Sequence, residues 1–197
     1  RLLIASDLHG SPEAAAFLRR RCEELLPDML VLLGDICITA RATPFFQLRA
    51  AKRGFRFRGF RDAHRGRARN CDAEVDLMLL PFAVEDSAVI AADGLRIGHS
   101  TDTTFQLPPI PGVRPGDVVL SGHTHIPRGE TVDGVHFWNP GSTTLPKGGF
   151  PASYGVFEAG AFRVFGLDGG FFWSIGLPQL TFSEEGVLNA GRLFALL

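Results

Sequence analysis

Residues 2–33 read as strand, helix, strand, and that order constrains the fold more than any other stretch of the chain. LLIAS (2–6) is a short continuous apolar run, the signature of a strand buried on both faces. Ser11-Pro12-Glu13 then supplies a capping hydroxyl, a proline suited to the first helical position and an acid for the first turn. The predicted helix runs to about Leu26, with Ala16, Leu18 and Leu25 among its core candidates. MLVLL (29–33) is a second buried strand. Two strands joined by a helix pair in parallel through a right-handed crossover. Both therefore deliver their carboxyl ends to one sheet edge, where α/β folds bind ligands.

From residue 88 the pattern changes to hairpins. AVIAADGLRIGH (88–99) turns on Asp93-Gly94, GETVDGVHFW (129–138) on Asp133-Gly134, and GVFEAGAFRVFGL (155–167) around Ala159-Gly160. DVVLSGH (117–123) is a further buried strand between the first two. One helical crossover followed by meanders predicts an α/β fold of two packed sheets with helices outside. The 197 residues fit a single domain, 1–197, with no dividing linker or repeat.

Apolar residues make up 45% and charged residues 21%, as in a soluble globular protein, and the net charge is −1. That balance argues against nucleic acid or an anionic membrane as a partner. No 18-residue apolar run is present, and the first residues read as a strand rather than a signal peptide. Cys22, Cys37 and Cys71 are too few and too scattered for a disulfide framework or a thiolate metal site. They fit a reducing compartment, so the chain is expected in the cytoplasm. Self-association into a homo-oligomer stays open.

Chemistry-bearing residues gather at strand ends. LLIAS is followed by Asp7-Leu8-His9, and MLVLL by Gly34-Asp35. His123 and His125 sit two apart in SGHTHIP, His99 ends a strand, and Asn70 opens NCDAEVD. Residues two apart on an extended chain point the same way, so each pair, Asp7 with His9 and His123 with His125, can reach one object. Two aspartates, an asparagine and four histidines are oxygen and imidazole donors suited to Mn²⁺, Fe or Zn²⁺. Seven donors exceed one ion's needs and suit two ions sharing a bridging carboxylate.

The motifs SDLHGS, LGDI, NCDAEVDLMLL, GHTHIP, NPGS and PKGG followed by PASYGVFE resemble the calcineurin-like metallophosphoesterase superfamily. Within it they resemble the small bacterial YfcE-type phosphodiesterases. The match runs in order through residues 1–38 and 70–167. The resemblance implies a four-layer α/β/β/α sandwich of two mixed sheets and a dinuclear centre, most often manganese, with Zn²⁺, Fe or Ni²⁺ as alternatives. It places Asp7, His9 and His125 on the first ion, Asn70, His99 and His123 on the second, and Asp35 between them. Asp72 would orient the site from behind the ligands, and Asn139 lies in a motif near it without an assigned role. The implied activity is hydrolysis of a small phosphodiester by a hydroxide that bridges both ions. The implied rival is a catalytically weak or inactive scaffold of the same fold, like the retromer subunit of this superfamily. Survival of His9, His99, His123 and His125 favours the enzyme.

The chain departs from the family pattern at several positions. Cys71 stands where many relatives have a histidine that protonates the leaving group, which favours diesters whose leaving group needs no proton. Thr101 replaces the second histidine of a His-Gly-His motif, and Arg69 replaces a glycine. Residues 41–69 carry nine arginines and Lys52 against one acid, Asp62. Three readings are open for that segment: a compensated shift of reading frame, ranked first, a basic loop for an anionic substrate, or an arginine-rich arm for nucleic acid. Unpartnered arginines resist burial. The segment is therefore expected to be exposed and irregular, with at most a short helix near Phe46–Lys52 and no intact strand leading to Asn70. Residues 168–197 also lack the resemblance, and Gly169-Gly170 and Pro178 break any long element there.

Overall fold

The computed structural model describes residues 1–36, 56–60, 84–85, 89–99 and 112–176. The opening is β1 (Leu2–Ala5), α1 (Pro12–Leu25) and β2 (Met29–Leu33), with β1 and β2 parallel and Leu3 opposite Leu30. Ser11 caps α1 as its sequence predicts, its Oγ accepting from Ala14 N at 3.1 Å. The buried stripe of α1 is Ala14, Ala15, Leu18 and Cys22. Leu25 packs beside it, whereas Ala16 lies off the stripe, half-buried.

Downstream come β3 (Arg56–Phe60), β4 (Val84–Glu85), β5 (Val89–Ala92), β6 (Leu95–His99), β7 (Val118–Leu120), β8 (Pro127–Val132), β9 (Val135–Pro140), β10 (Ser153–Glu158), β11 (Ala161–Gly166) and β12 (Phe171–Gly176). They form two mixed sheets, β12-β11-β10-β1-β2-β3-β4 and β5-β6-β7-β9-β8. The three expected hairpins close on their expected turns, where Asp93-Gly94, Asp133-Gly134 and Ala159-Gly160 each take two successive left-handed conformations.

Two strands depart from expectation. Residues 56–60 lie within the segment expected to be irregular, yet they pair with β2 in parallel from Met29↔Arg56 to Leu33↔Phe60. β2 is buried along its whole length, so its free edge requires backbone partners. Arg56-Phe57-Arg58 alternates at the period of a strand, which lets it supply them. The expected helix near Phe46–Lys52 and the stretch 61–69 lie outside the described residues. β12, in the part without family resemblance, extends the first sheet antiparallel to β11.

Alternation along β1 and β2 sorts side chains into two cores. Leu3, Ala5, Leu30 and Leu32 face α1 with Leu18, Tyr154 and Val156. Leu2, Ile4, Met29, Val31 and Leu33 face the second sheet with Ile97, Val118, Leu120 and Trp138. Each such large side chain contributes roughly 1.5–3 kcal/mol by leaving water. Trp138 stacks on Phe162 across the sheets with centroids 5.0 Å apart. The Trp173 ring of β12 occupies the space a side chain at Gly129 of β8 would need. Far from the carboxyl ends of β1 and β2, Gly160 N donates to Asp93 Oδ2 at 3.3 Å and ties two hairpin turns together. Helix, sheet and sheet form three layers among the described residues. No helix among them is long and apolar enough to cross a membrane.

Candidate metal centre

β1 and β2 run in register, with Ala5 opposite Leu32, so Asp7 and Asp35 leave the sheet side by side. Pairing continues past the strands: Asp7 N donates to Gly34 O at 3.3 Å, His9 N to Asp35 O at 2.8 Å and Gly10 N to Ile36 O at 2.9 Å. In the second sheet β7 ends at Leu120, and Ser121–His125 fold across the same edge. There His123 N donates to both Asp7 carboxylate oxygens at 3.2 Å.

The approach of the two sheets depends on Gly122. A Cβ there would stand 2.0 Å from Ser6 Oγ and 2.6 Å from the Leu33 carbonyl oxygen. The second contact is backbone and cannot swing away. Gly122→Ala is expected to cost about 1–3 kcal/mol by overpacking and to weaken metal binding by lifting His123 and His125 off Asp7. Urea unfolding and metal titration check this; unchanged midpoint and affinity would contradict it.

Asp7, His9, Asp35 and His125 each present one donor atom, and these atoms all lie within 4.8 Å of one another. His123 stands beside them, its Nδ1 3.5 Å from Asp35 Oδ2. All five residues have positive φ, between 45° and 64°. Among the described residues, the other non-glycine residues with positive φ are the α1 C-cap Leu26 and the hairpin turn residues Asp93, Asp133 and Ala159. His9 lies with Gly10 in the turn that Ser11 N closes on Leu8 O at 3.0 Å, whereas Asp7, Asp35, His123 and His125 hold positive φ away from the helix cap and the hairpin turns, a pattern typical of functional sites. It also corrects the reason for the two-apart spacing. Asp7, His9, His123 and His125 converge through left-handed loop backbone beyond the strands, and not through strand alternation.

Hydrogen bonds fix the ligand orientations. His125 Nδ1 donates to the Leu145 carbonyl at 2.6 Å, which turns Nε2 towards Asp7 Oδ1 at 3.3 Å. Ser142 Oγ donates to the Asp7 carbonyl at 3.2 Å and Thr144 Oγ1 at 2.7 Å, while Thr143 Oγ1 donates to the Ser6 carbonyl at 3.1 Å. Asn139 Nδ2 donates to Gly122 O and Thr124 Oγ1, both at 3.1 Å, and its Oδ1 accepts from Gly141 N at 2.8 Å. Asn139 therefore ties the histidine loop to the 141–145 loop. These braces went unread in the sequence, although the run Ser142-Thr143-Thr144 after NPG was a visible signal.

The electrostatics call for a cation. Asp7 is fully buried, and that burial, with the nearby Asp35 charge adding to it, pushes its carboxyl up to about 7. Burial also holds His9 below the ordinary imidazole value, and its Nε2 is buried without a hydrogen-bond partner. A neutral imidazole with an idle nitrogen beside two crowded carboxylates fits a divalent ion. The donor set of two carboxylates and two imidazoles suits Mn²⁺, Fe or Zn²⁺.

The structure therefore brings together Asp7, His9, Asp35, His123 and His125. His99 ends β6 opposite Leu120, which puts its backbone at the same edge, but its side chain lies outside the described part. Asn70, Cys71, Asp72 and Thr101 also lie outside the described residues.

Comparison with known proteins agrees with this geometry. Residues 1–161 match the calcineurin-like phosphoesterase superfamily domain. The chain is 32% identical over 175 residues to phosphodiesterase YfcE of Escherichia coli K12, an alignment covering 85% of this chain and 92% of that protein. A solved structure of the Escherichia coli phosphoesterase superposes with a TM-score of 0.72 at 29% identity, covering 89% of this chain and 98% of the other. Zinc-complexed Vps29 from Entamoeba histolytica superposes at a TM-score of 0.54 with 20% identity, over 88% of this chain and 97% of that one, a likeness of fold alone. With a candidate metal centre at the shared edge of two mixed sheets, the chain belongs to the calcineurin-like phosphoesterase superfamily.

Proposed function

We propose that this metal-dependent phosphodiesterase holds two divalent cations bridged by Asp35, with manganese the preferred metal. The observation that carries the reading is the convergence of Asp7, His9, Asp35 and His125 donor atoms within 4.8 Å. Asp35 belongs to that cluster and also stands nearest His123, at 3.5 Å, which supports its place between two ions. Asp7, His9 and His125 would hold one ion. His123, with His99 and Asn70, would hold the other.

When bound, the ions supply Lewis acidity, acidifying the attacking water and offsetting charge on the phosphoryl oxygens. The chain supplies order. Leu145 keeps His125 in the tautomer that offers Nε2, and the hydroxyls of Ser142 and Thr144 hold the Asp7 backbone. Covalent catalysis has no support from Cys22, which is buried against α1's core with its thiol pushed up to about 12. The substrate is a small phosphodiester. Three scattered cysteines support a reducing compartment, and we place the enzyme in the cytoplasm.

Chelation is expected to abolish hydrolysis of a chromogenic phosphodiester, and Mn²⁺ to restore it better than Mg²⁺, because imidazole ligands favour the former. Full turnover in metal-free protein would contradict the proposal. Absence of turnover in metal-loaded protein would instead leave the inactive scaffold of the same fold as the better reading.

A further inference from the structure

The rim of the metal centre carries an unexplained concentration of apolar surface. Six large hydrophobic side chains are exposed among the described residues, and three of them, Ile126, Leu145 and Phe150, belong to the two segments that frame His125. Ile126 follows that ligand directly. Leu145 accepts a hydrogen bond from its Nδ1 through the backbone carbonyl. Ile126 and Phe150 converge over Gly148, where an added Cβ would meet the Phe150 ring at 3.4 Å and Ile126 Cδ1 at 3.6 Å. Singly scattered exposed hydrophobics need no explanation, but a cluster beside a catalytic centre does.

The same loop carries a cation. Lys147 N donates to the His125 carbonyl at 3.1 Å, which anchors the lysine against a metal-binding residue. Its ammonium is exposed, lies within electrostatic range of His9 and forms no ion pair with a carboxylate among the described residues. Gly148 and Gly149, both at positive φ, turn the chain straight after it, so that lysine and Phe150 share one short loop.

We infer that Ile126, Leu145, Phe150 and Lys147 form the subsite that selects the substrate: a phosphodiester monoanion with an apolar or aromatic ester arm. The apolar ledge takes the arm, and Lys147 attracts the phosphate charge. This rests on the phosphodiesterase reading and deepens it. Ledge and lysine both extend continuously from the His125 loop, so a phosphate at the metal centre is within reach of the pair through its own ester arms. Lys147 is here a positioning residue, since its exposed amine touches no metal-binding atom in the described structure.

The test uses metal-loaded protein and two inhibitory probes, diphenyl phosphate and dimethyl phosphate, competing against bis(p-nitrophenyl) phosphate. In the parent chain diphenyl phosphate should bind at least about tenfold tighter, the discrimination that a few buried apolar contacts provide. Phe150→Ser together with Ile126→Ala should compress that ratio to about threefold or less. Lys147→Met should raise the inhibition constants of both probes by about tenfold and leave their ratio in place, with the loss of hydrolysis falling on KM more than on kcat. Metal content should match the parent in both variants. An unchanged ratio in the ledge variant, or unchanged constants in the lysine variant, overturns the subsite. A parent chain that binds no metal or hydrolyses no diester defeats the function itself, an outcome distinct from loss of the subsite.

Discussion

Replacing Asp35 by alanine is expected to strip the chain of both metal ions and to lower phosphodiester turnover by about a thousandfold or more, whereas His125→Ala should retain one ion and lose less. The asymmetry follows from position. Asp35 belongs to the cluster with Asp7, His9 and His125 and also faces His123. His125 Nε2 faces Asp7 Oδ1, at 3.3 Å. A bridging carboxylate serves two Lewis acids at once, and its removal disables both of their contributions to an in-line displacement. Elemental analysis of the two variants decides the matter. An Asp35 variant that keeps two ions would show that the bridge lies elsewhere.

Asp7→Asn should separate stability from activity. Burial raises the Asp7 carboxyl from 3.8 to about 7 in the metal-free fold. A raised carboxyl binds its proton more tightly when folded, so stability is full below pH 4 and is lost as pH climbs towards 7. Above pH 7 the ionised carboxylate costs the metal-free chain on the order of 4 kcal/mol at 1.36 kcal/mol per pKa unit. The neutral amide avoids that cost. Metal-free Asp7→Asn is therefore expected to unfold at higher temperature than the parent at pH 8, by about 8–16 °C for a chain of this size, with the gap closing near pH 4. Hydrolysis should fall by about a hundredfold or more through loss of a metal ligand. Added Mn²⁺ should raise the parent's Tm and leave the variant's almost unmoved. A variant less stable than the metal-free parent at pH 8 would contradict the reading of Asp7 as a strained ligand awaiting a cation.

What was legible in the sequence was local or periodic. The cap at Ser11, the Asp-Gly turns and the apolar runs of β1 and β2 each announce one structure through their own chemistry, and the fold follows them. The two-apart pairs Asp7/His9 and His123/His125 do meet at one place, for a reason that the backbone revises. Sequence spacing shows that two side chains can serve one ion, but not that left-handed loop residues bring them there. β3 was illegible because its partner is distant: Arg56–Phe60 becomes a strand through the exposed edge of β2, a requirement that no window around residue 56 contains. The braces on the Asp7 carbonyl come from Ser142 and Thr144, separated from it by some 135 residues, and only the meeting of the two sheets makes them neighbours.

A hydrolytic centre that needs two metal ions held by this constellation is tested by titrating Mn²⁺ into metal-free protein, with bound metal per chain and the rate of bis(p-nitrophenyl) phosphate hydrolysis measured in the same samples. Turnover should be absent without metal, and the rate should level off as occupancy reaches two ions per chain. A rate that saturates at one ion, or that is already complete in metal-free protein, would contradict it.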